Sequence, residues 1–108
     1  VASDGAGSAS RSQDGSRLAC VSFVQCIETL VASGGSASDV TRTFVVKWLL
    51  SFIREIDQIA KDASLLPREF ACTFLAAVID RSGAAYCQVG DGAIVVSNPS
   101  EEDQFMWI

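Results

Sequence analysis

Two aspartates are the residues of this chain best suited to chemistry. Each is followed by glycine, and each belongs to a run that reads as a strand: Asp4 in Val1-Ala2-Ser3-Asp4-Gly5-Ala6-Gly7-Ser8, and Asp91 in Gln88-Val89-Gly90-Asp91-Gly92-Ala93-Ile94-Val95-Val96. A carboxylate at a strand end projects into solvent, and the adjoining glycine lets the backbone bend around an ion. The chain has no histidine, so two such acids point to a hard-metal site built from oxygens. Both motifs also have an ordinary structural reading, since Asp-Gly and Gly-Asp-Gly are common turn sequences. Ser8 and Ser10 have no histidine or suitable lysine nearby to activate them, and they read as capping or loop residues.

The elements that must position these acids follow from hydrophobic spacing. Residues 4–16 are small and polar and read as a loop. Leu18, Val21, Val24, Ile27 and Val31 then recur at intervals of three and four, which predicts an amphipathic helix of about 17 residues or more, closed by Gly34-Gly35. Ser38 or Asp39 is the expected cap of a second helix, whose stripe runs Val40, Phe44, Trp48, Phe52, Ile56, Ile59 and Ala63 before Pro67 ends the helical region. Asp57 precedes Lys61 by four residues, an order that supports a helix. Phe70–Ile79 is apolar on both faces and reads as a buried strand. Arg81-Ser82-Gly83 reads as a hairpin turn, Ala84–Val89 and Ala93–Ser97 as further strands, and Phe105–Ile108 as a strand stub. Helix, helix, then antiparallel strands is an α+β order, not alternating βαβ.

Composition narrows the function. The chain has 108 residues, 49% of them apolar, a net charge of −5 and a mean hydropathy of +0.31. One domain of this size buries roughly two-thirds of its unfolded surface. The acidic balance and scattered Lys and Arg argue against nucleic-acid binding, and no apolar run reads as a membrane span. Cys20, Cys26, Cys72 and Cys87 form no C-x-x-C pair and sit among apolar neighbours. They read as buried thiols in a reducing cytoplasm, and zinc is disfavoured. The opening on Val1 and the truncated-looking end suggest a piece of a longer protein.

The motifs and their order resemble the type 2C group of metal-dependent protein serine/threonine phosphatases, most closely its bacterial-type members. Val1–Ala9 followed by a helix looks like that family's metal-binding Asp-Gly segment. Ala71-Cys72-Thr73-Phe74-Leu75-Ala76-Ala77-Val78 resembles the strand placed after its two long helices. Tyr86-Cys87-Gln88-Val89-Gly90-Asp91-Gly92-Ala93-Ile94-Val95 resembles the following Gly-Asp hairpin. The resemblance covers nearly the whole chain. It implies a partial α-β-β-α sandwich over residues 1–108, two long helices packed on antiparallel strands, without the family's upstream acidic strand, upstream phosphate-binding arginine and downstream aspartates.

The resemblance also implies chemistry: two Mg2+ or Mn2+ ions about 3.5–4 Å apart activate a water that attacks a phosphoserine or phosphothreonine of a phosphoprotein substrate in line. Asp4 is the implied bridging ligand, the Gly5 carbonyl a further ligand, and Asp91 the match to a third, weaker metal position in some members. Ala6 stands where many members have a histidine, and Ser8 where many have glycine. A metal-dependent phosphatase present as an incomplete, inactive piece is therefore the expected function. A catalytically inactive phosphatase-like binding module is the alternative. An unrelated α+β interaction module with coincidental Asp-Gly turns is the third reading.

Overall fold

A computed structural model of the chain describes residues 1–5, 9–90, 95–97 and 105–107, with side chains described through residue 90. Two long helices come first: α1 spans Ser12–Ala32 and α2 spans Arg42–Asp62. Four strands follow: β1 Phe74–Asp80, β2 Gly83–Val89, β3 Val95–Ser97 and β4 Phe105–Trp107. The α+β order expected from the sequence is the observed one.

Helix α1 begins earlier than its composition suggests, taking in Ser12–Ser16, which read as loop. Asp14 lies in its first turn, where a negative charge complements the helix dipole, and pairs with Arg11. The buried face of α1 also differs from the expected stripe. Gly15, Ala19 and Phe23 are buried, whereas Val21, Val24 and Val31 are exposed. Small residues win that face because they let the helix backbone come close to its neighbours, and Phe23 then fills an aromatic cluster. Its ring meets Trp48 edge-on at 5.0 Å, and Trp48 lies 4.6 Å from Phe74. The Trp48 indole N–H donates to Ser22 Oγ at 2.9 Å, so the buried polar atom is satisfied. By length and composition alone α1 could cross a membrane, contrary to the sequence reading; in the fold its Ala19 and Phe23 lie in this core.

Helix α1 closes as expected at Gly34, which takes φ +90°, with Gly35 N–H bonded to the Leu30 carbonyl and Gly34 N–H to that of Val31. Helix α2 is capped by Thr41, whose hydroxyl accepts from Phe44 N–H; Ser38 and Asp39 instead belong to a short 3-10 turn, Ala37–Asp39. Trp48, Ile56 and Ala60 are its buried residues, while Ile59 from the expected stripe is exposed. The Asp57–Lys61 pair does not close; the ion pair found among the described residues is Arg11–Asp14. α2 ends at Asp62, with Ser64 at φ +58° and Leu65 N–H reaching back to the Ala60 carbonyl, the same closure used by α1. Pro67 therefore starts a 3-10 turn, Pro67–Phe70, that takes in the first residue assigned to a strand. Ile56, Ala60 and Phe70 form a second small core beneath it.

β1 and β2 pair antiparallel from Phe74↔Val89 to Asp80↔Gly83, joined by Arg81-Ser82. Asp80 secures this turn. One carboxylate oxygen accepts from Ser82 N–H and Oγ, and the other from Ala37 N–H at 2.7 Å. The hydrogen bonds from the Ser82 hydroxyl and the Ala37 amide hold its pKa below the ordinary carboxylate range. β3 and β4 form a second antiparallel pair, Val95↔Trp107 to Ser97↔Phe105.

Candidate metal centre

The first five residues run antiparallel to β1. Ala2 and Leu75 exchange both backbone hydrogen bonds at 2.8 Å, and Thr73 N–H donates to the Asp4 carbonyl at 2.8 Å. Asp4 is thus fixed through its backbone while its side chain is exposed. Gly5 faces Cys72 in the next, non-hydrogen-bonded position, so the ladder turns the Gly5 C=O away from β1. A hollow of about 330 Å³ beside them is lined by Ala2, Ser3, Asp4, Thr73 and Leu75.

Gly5 is required here by contact. A Cβ at this position would lie 2.5 Å from both Cβ and Oγ of Ser12, the first residue of α1. The candidate carbonyl ligand is therefore pressed between an edge strand and a helix start.

Thr73 also meets the second motif. Because Phe74 pairs with Val89, Gly90 comes next to Thr73, and a Cβ on Gly90 would lie 3.1 Å from Thr73 Cγ2. Gly90 takes φ +86°, which suits glycine as the chain leaves β2. Asp4, Thr73 and Gly90 thus lie side by side. With strands about 4.8 Å apart, the two motif stems are roughly 10 Å from each other. Asp91 itself lies outside the described residues. Sequence reasoning missed Thr73; its only signal there is a polar residue inside an apolar run.

An exposed carboxylate and a main-chain carbonyl are the oxygen donors that hard divalent cations take, and Mg2+ commonly uses one or two carboxylates and completes its shell with water. The residues present fit such an ion in kind. Among the described residues, however, no group of three or more His, Cys, Asp or Glu comes together as a metal site. Asp4 and Gly5 would fill only part of such a shell.

The remaining reactive groups do not compete. All four cysteines are free and only half-buried, not fully buried as expected. Burial, and next the Glu55 charge, push the Cys26 thiol upward; burial does the same for Cys87. Both stay protonated and weakly nucleophilic. A hollow of about 460 Å³ lies between α1 and α2, and its lining includes Cys26, Phe44, Trp48, Phe52 and Glu55.

Comparison with known proteins places the sequence in a family. The family profile described as Protein phosphatase 2C matches residues 1–105. Serine/threonine-protein phosphatase 3 of Escherichia coli (strain K12) is 34% identical over 94 residues, which cover 86% of this chain and 36% of that protein. The chain thus spans little more than a third of the relative's length. No solved structure matches.

Proposed function

Because the chain belongs to the Protein phosphatase 2C family, we propose that it is the ion-holding edge of a phosphatase-like domain, and that these 108 residues bind a divalent cation without hydrolysing phosphoesters themselves. The observation that supports this reading is the partial oxygen set: Asp4 and Gly5 on one side of Thr73, the stem of Asp91 on the other, and no fuller acidic cluster among the described residues. Asp4 contributes a carboxylate, Gly5 a carbonyl and Asp91 a further carboxylate. Thr73 holds the Asp4 backbone in place, and Ser12 sets the limit of Gly5's approach. Mg2+ or Mn2+ held there would supply positive charge that lowers the pKa of a bound water, the chemistry a complete domain would use.

The named relative, a serine/threonine-protein phosphatase, supports a second reading for the full-length protein, hydrolysis of phosphoserine or phosphothreonine in a phosphoprotein. To this we add, as our own proposal, two ions and in some forms a third, in a bacterial-type member acting in the cytoplasm. In that setting α1, α2 and the β1–β2 hairpin form one half of an α-β-β-α sandwich. The face bearing Leu75, Ala77 and Ile79 would meet the second sheet, and Ile79 is 66% exposed in this chain. The net charge of −5 on these 108 residues argues against their binding nucleic acid.

One assay separates the readings. Full-length protein is given a phosphothreonine peptide with Mn2+, with EDTA, and as Asp4→Ala, beside residues 1–108 alone. Turnover by the full-length protein that is lost with EDTA and in Asp4→Ala, with none from the 108 residues, is the expected result. Turnover indifferent to EDTA or to Asp4→Ala overturns the ion site.

A further inference from the structure

We propose that the Pro67–Phe70 turn positions the ion site, with Glu69 as its principal positioning residue. This rests on the reading of Asp4 and Gly5 as cation ligands. Glu69 engages the start of α1 twice: its backbone carbonyl accepts from Arg11 N–H at 2.7 Å, and its Oε1 accepts from Ser10 Oγ at 3.0 Å. Its other oxygen accepts from Leu66 N–H at 2.8 Å, which ties the carboxylate to its own turn. Phe70 adds two contacts. Its ring lies 5.5 Å from the Arg11 guanidinium carbon, and its carbonyl lies so close to Gly15 that a Cβ there would be 1.9 Å away.

These contacts reach the site in one step on each side. Arg11 precedes Ser12, and Ser12 is the residue that Gly5 touches. Thr73, three residues beyond Phe70, donates to the Asp4 carbonyl. A single stretch, residues 66–73, therefore sets the start of α1 against Gly5 and holds Asp4 from the opposite side. Releasing Glu69 lets α1 shift along Gly5, and the angle between the Asp4 and Gly5 oxygens changes with it. Ordering of this kind matters most for Mg2+, which demands near-ideal octahedral geometry.

The test reads ion binding directly. Full-length protein labelled with 15N is titrated with Mn2+, and paramagnetic broadening of the Asp4 and Gly5 amides is followed. Wild type, Ser10→Ala, Glu69→Gln and Gly34→Ala are compared. Gly34→Ala loosens the far end of α1 and controls for general loss of stability. Three- to tenfold more Mn2+ is expected for half-maximal broadening in Ser10→Ala and Glu69→Gln, with wild-type behaviour in Gly34→Ala. If Asp4 and Gly5 broaden in wild type and the two variants titrate identically to it, the clamp is wrong and the ion site stands. If neither amide responds in wild type, both fall. Should Glu69→Gln not fold, the exposed Ser10→Ala decides alone.

Discussion

Gly15→Ala sets two physical effects of opposite sign against each other. Gly15 lies inside α1, and there alanine is favoured over glycine by about 1 kcal/mol on propensity alone. The structure opposes this. The added Cβ would lie 1.9 Å from the Phe70 carbonyl oxygen and 2.9 Å from its carbonyl carbon. A carbon–oxygen contact is comfortable at roughly 3.3 Å or more, so helix and turn must part by about 1.4 Å. Overpacking of this kind costs about 1–3 kcal/mol, and separation also strains the Arg11–Glu69 hydrogen bond, which is worth about 1 kcal/mol. Propensity offsets only part of that, leaving a net loss of about 1–3 kcal/mol. Urea denaturation followed by circular dichroism measures it through the midpoint at constant slope. A Gly15→Ala protein as stable as wild type, or more stable, would refute the packing of α1 on Phe70 and with it the clamp on the ion site.

Other expectations follow from the helix ends and the carboxylates. Ser64 occupies at φ +58° the place that Gly34 occupies in the matching closure of α1. Ser64→Gly should therefore stabilise the fold by about 0.5–1 kcal/mol, and an unchanged or lowered midpoint would show that the left-handed conformation carries no penalty there. Asp80 and Glu69 both have pKa values held down: Asp80 by the Ser82 hydroxyl and the Ala37 amide, Glu69 by the Leu66 amide and the Ser10 hydroxyl. The unfolded chain binds protons first as pH falls, so this stability is complete above about pH 5 and is lost as pH drops through the lowered folded values. Thermal melts from pH 7 to 2 should show a shallower acid decline in Asp80→Asn than in wild type; parallel curves would remove the assigned role.

Much of the architecture was readable before the structure because it depends on local chemistry. Glycines at 34 and 35 stop α1, Arg81-Ser82-Gly83 makes the hairpin turn, and β-compatible runs flank it. The errors arise where distant contacts outweigh composition. Ser12–Ser16 looks like loop, yet it is helical because Gly15 and Arg11 dock on the Pro67–Phe70 turn. The valines of α1 look like its buried stripe, yet the smaller Gly15 and Ala19 allow closer packing and turn Val21, Val24 and Val31 outward. At the proposed site, Asp4 and Gly5 were nameable as candidate ligands from their types and order. Thr73 was not, because its shorter bond to Asp4 runs through an N–H that nearly every residue possesses.

That property of Thr73 shapes how the protein can vary. Anchorage of Asp4 by a main-chain amide is available to every amino acid except proline, while the side chain at 73 answers to the close approach of Gly90. A saturation survey of the chain would score position 73 as largely permissive, its tolerance graded by bulk and by loss of the hydroxyl that also reaches the Asp4 carbonyl at 3.5 Å. Diversity at that column would then conceal a structural junction, and sequence variability would be a poor guide to where this fold fastens its first five residues.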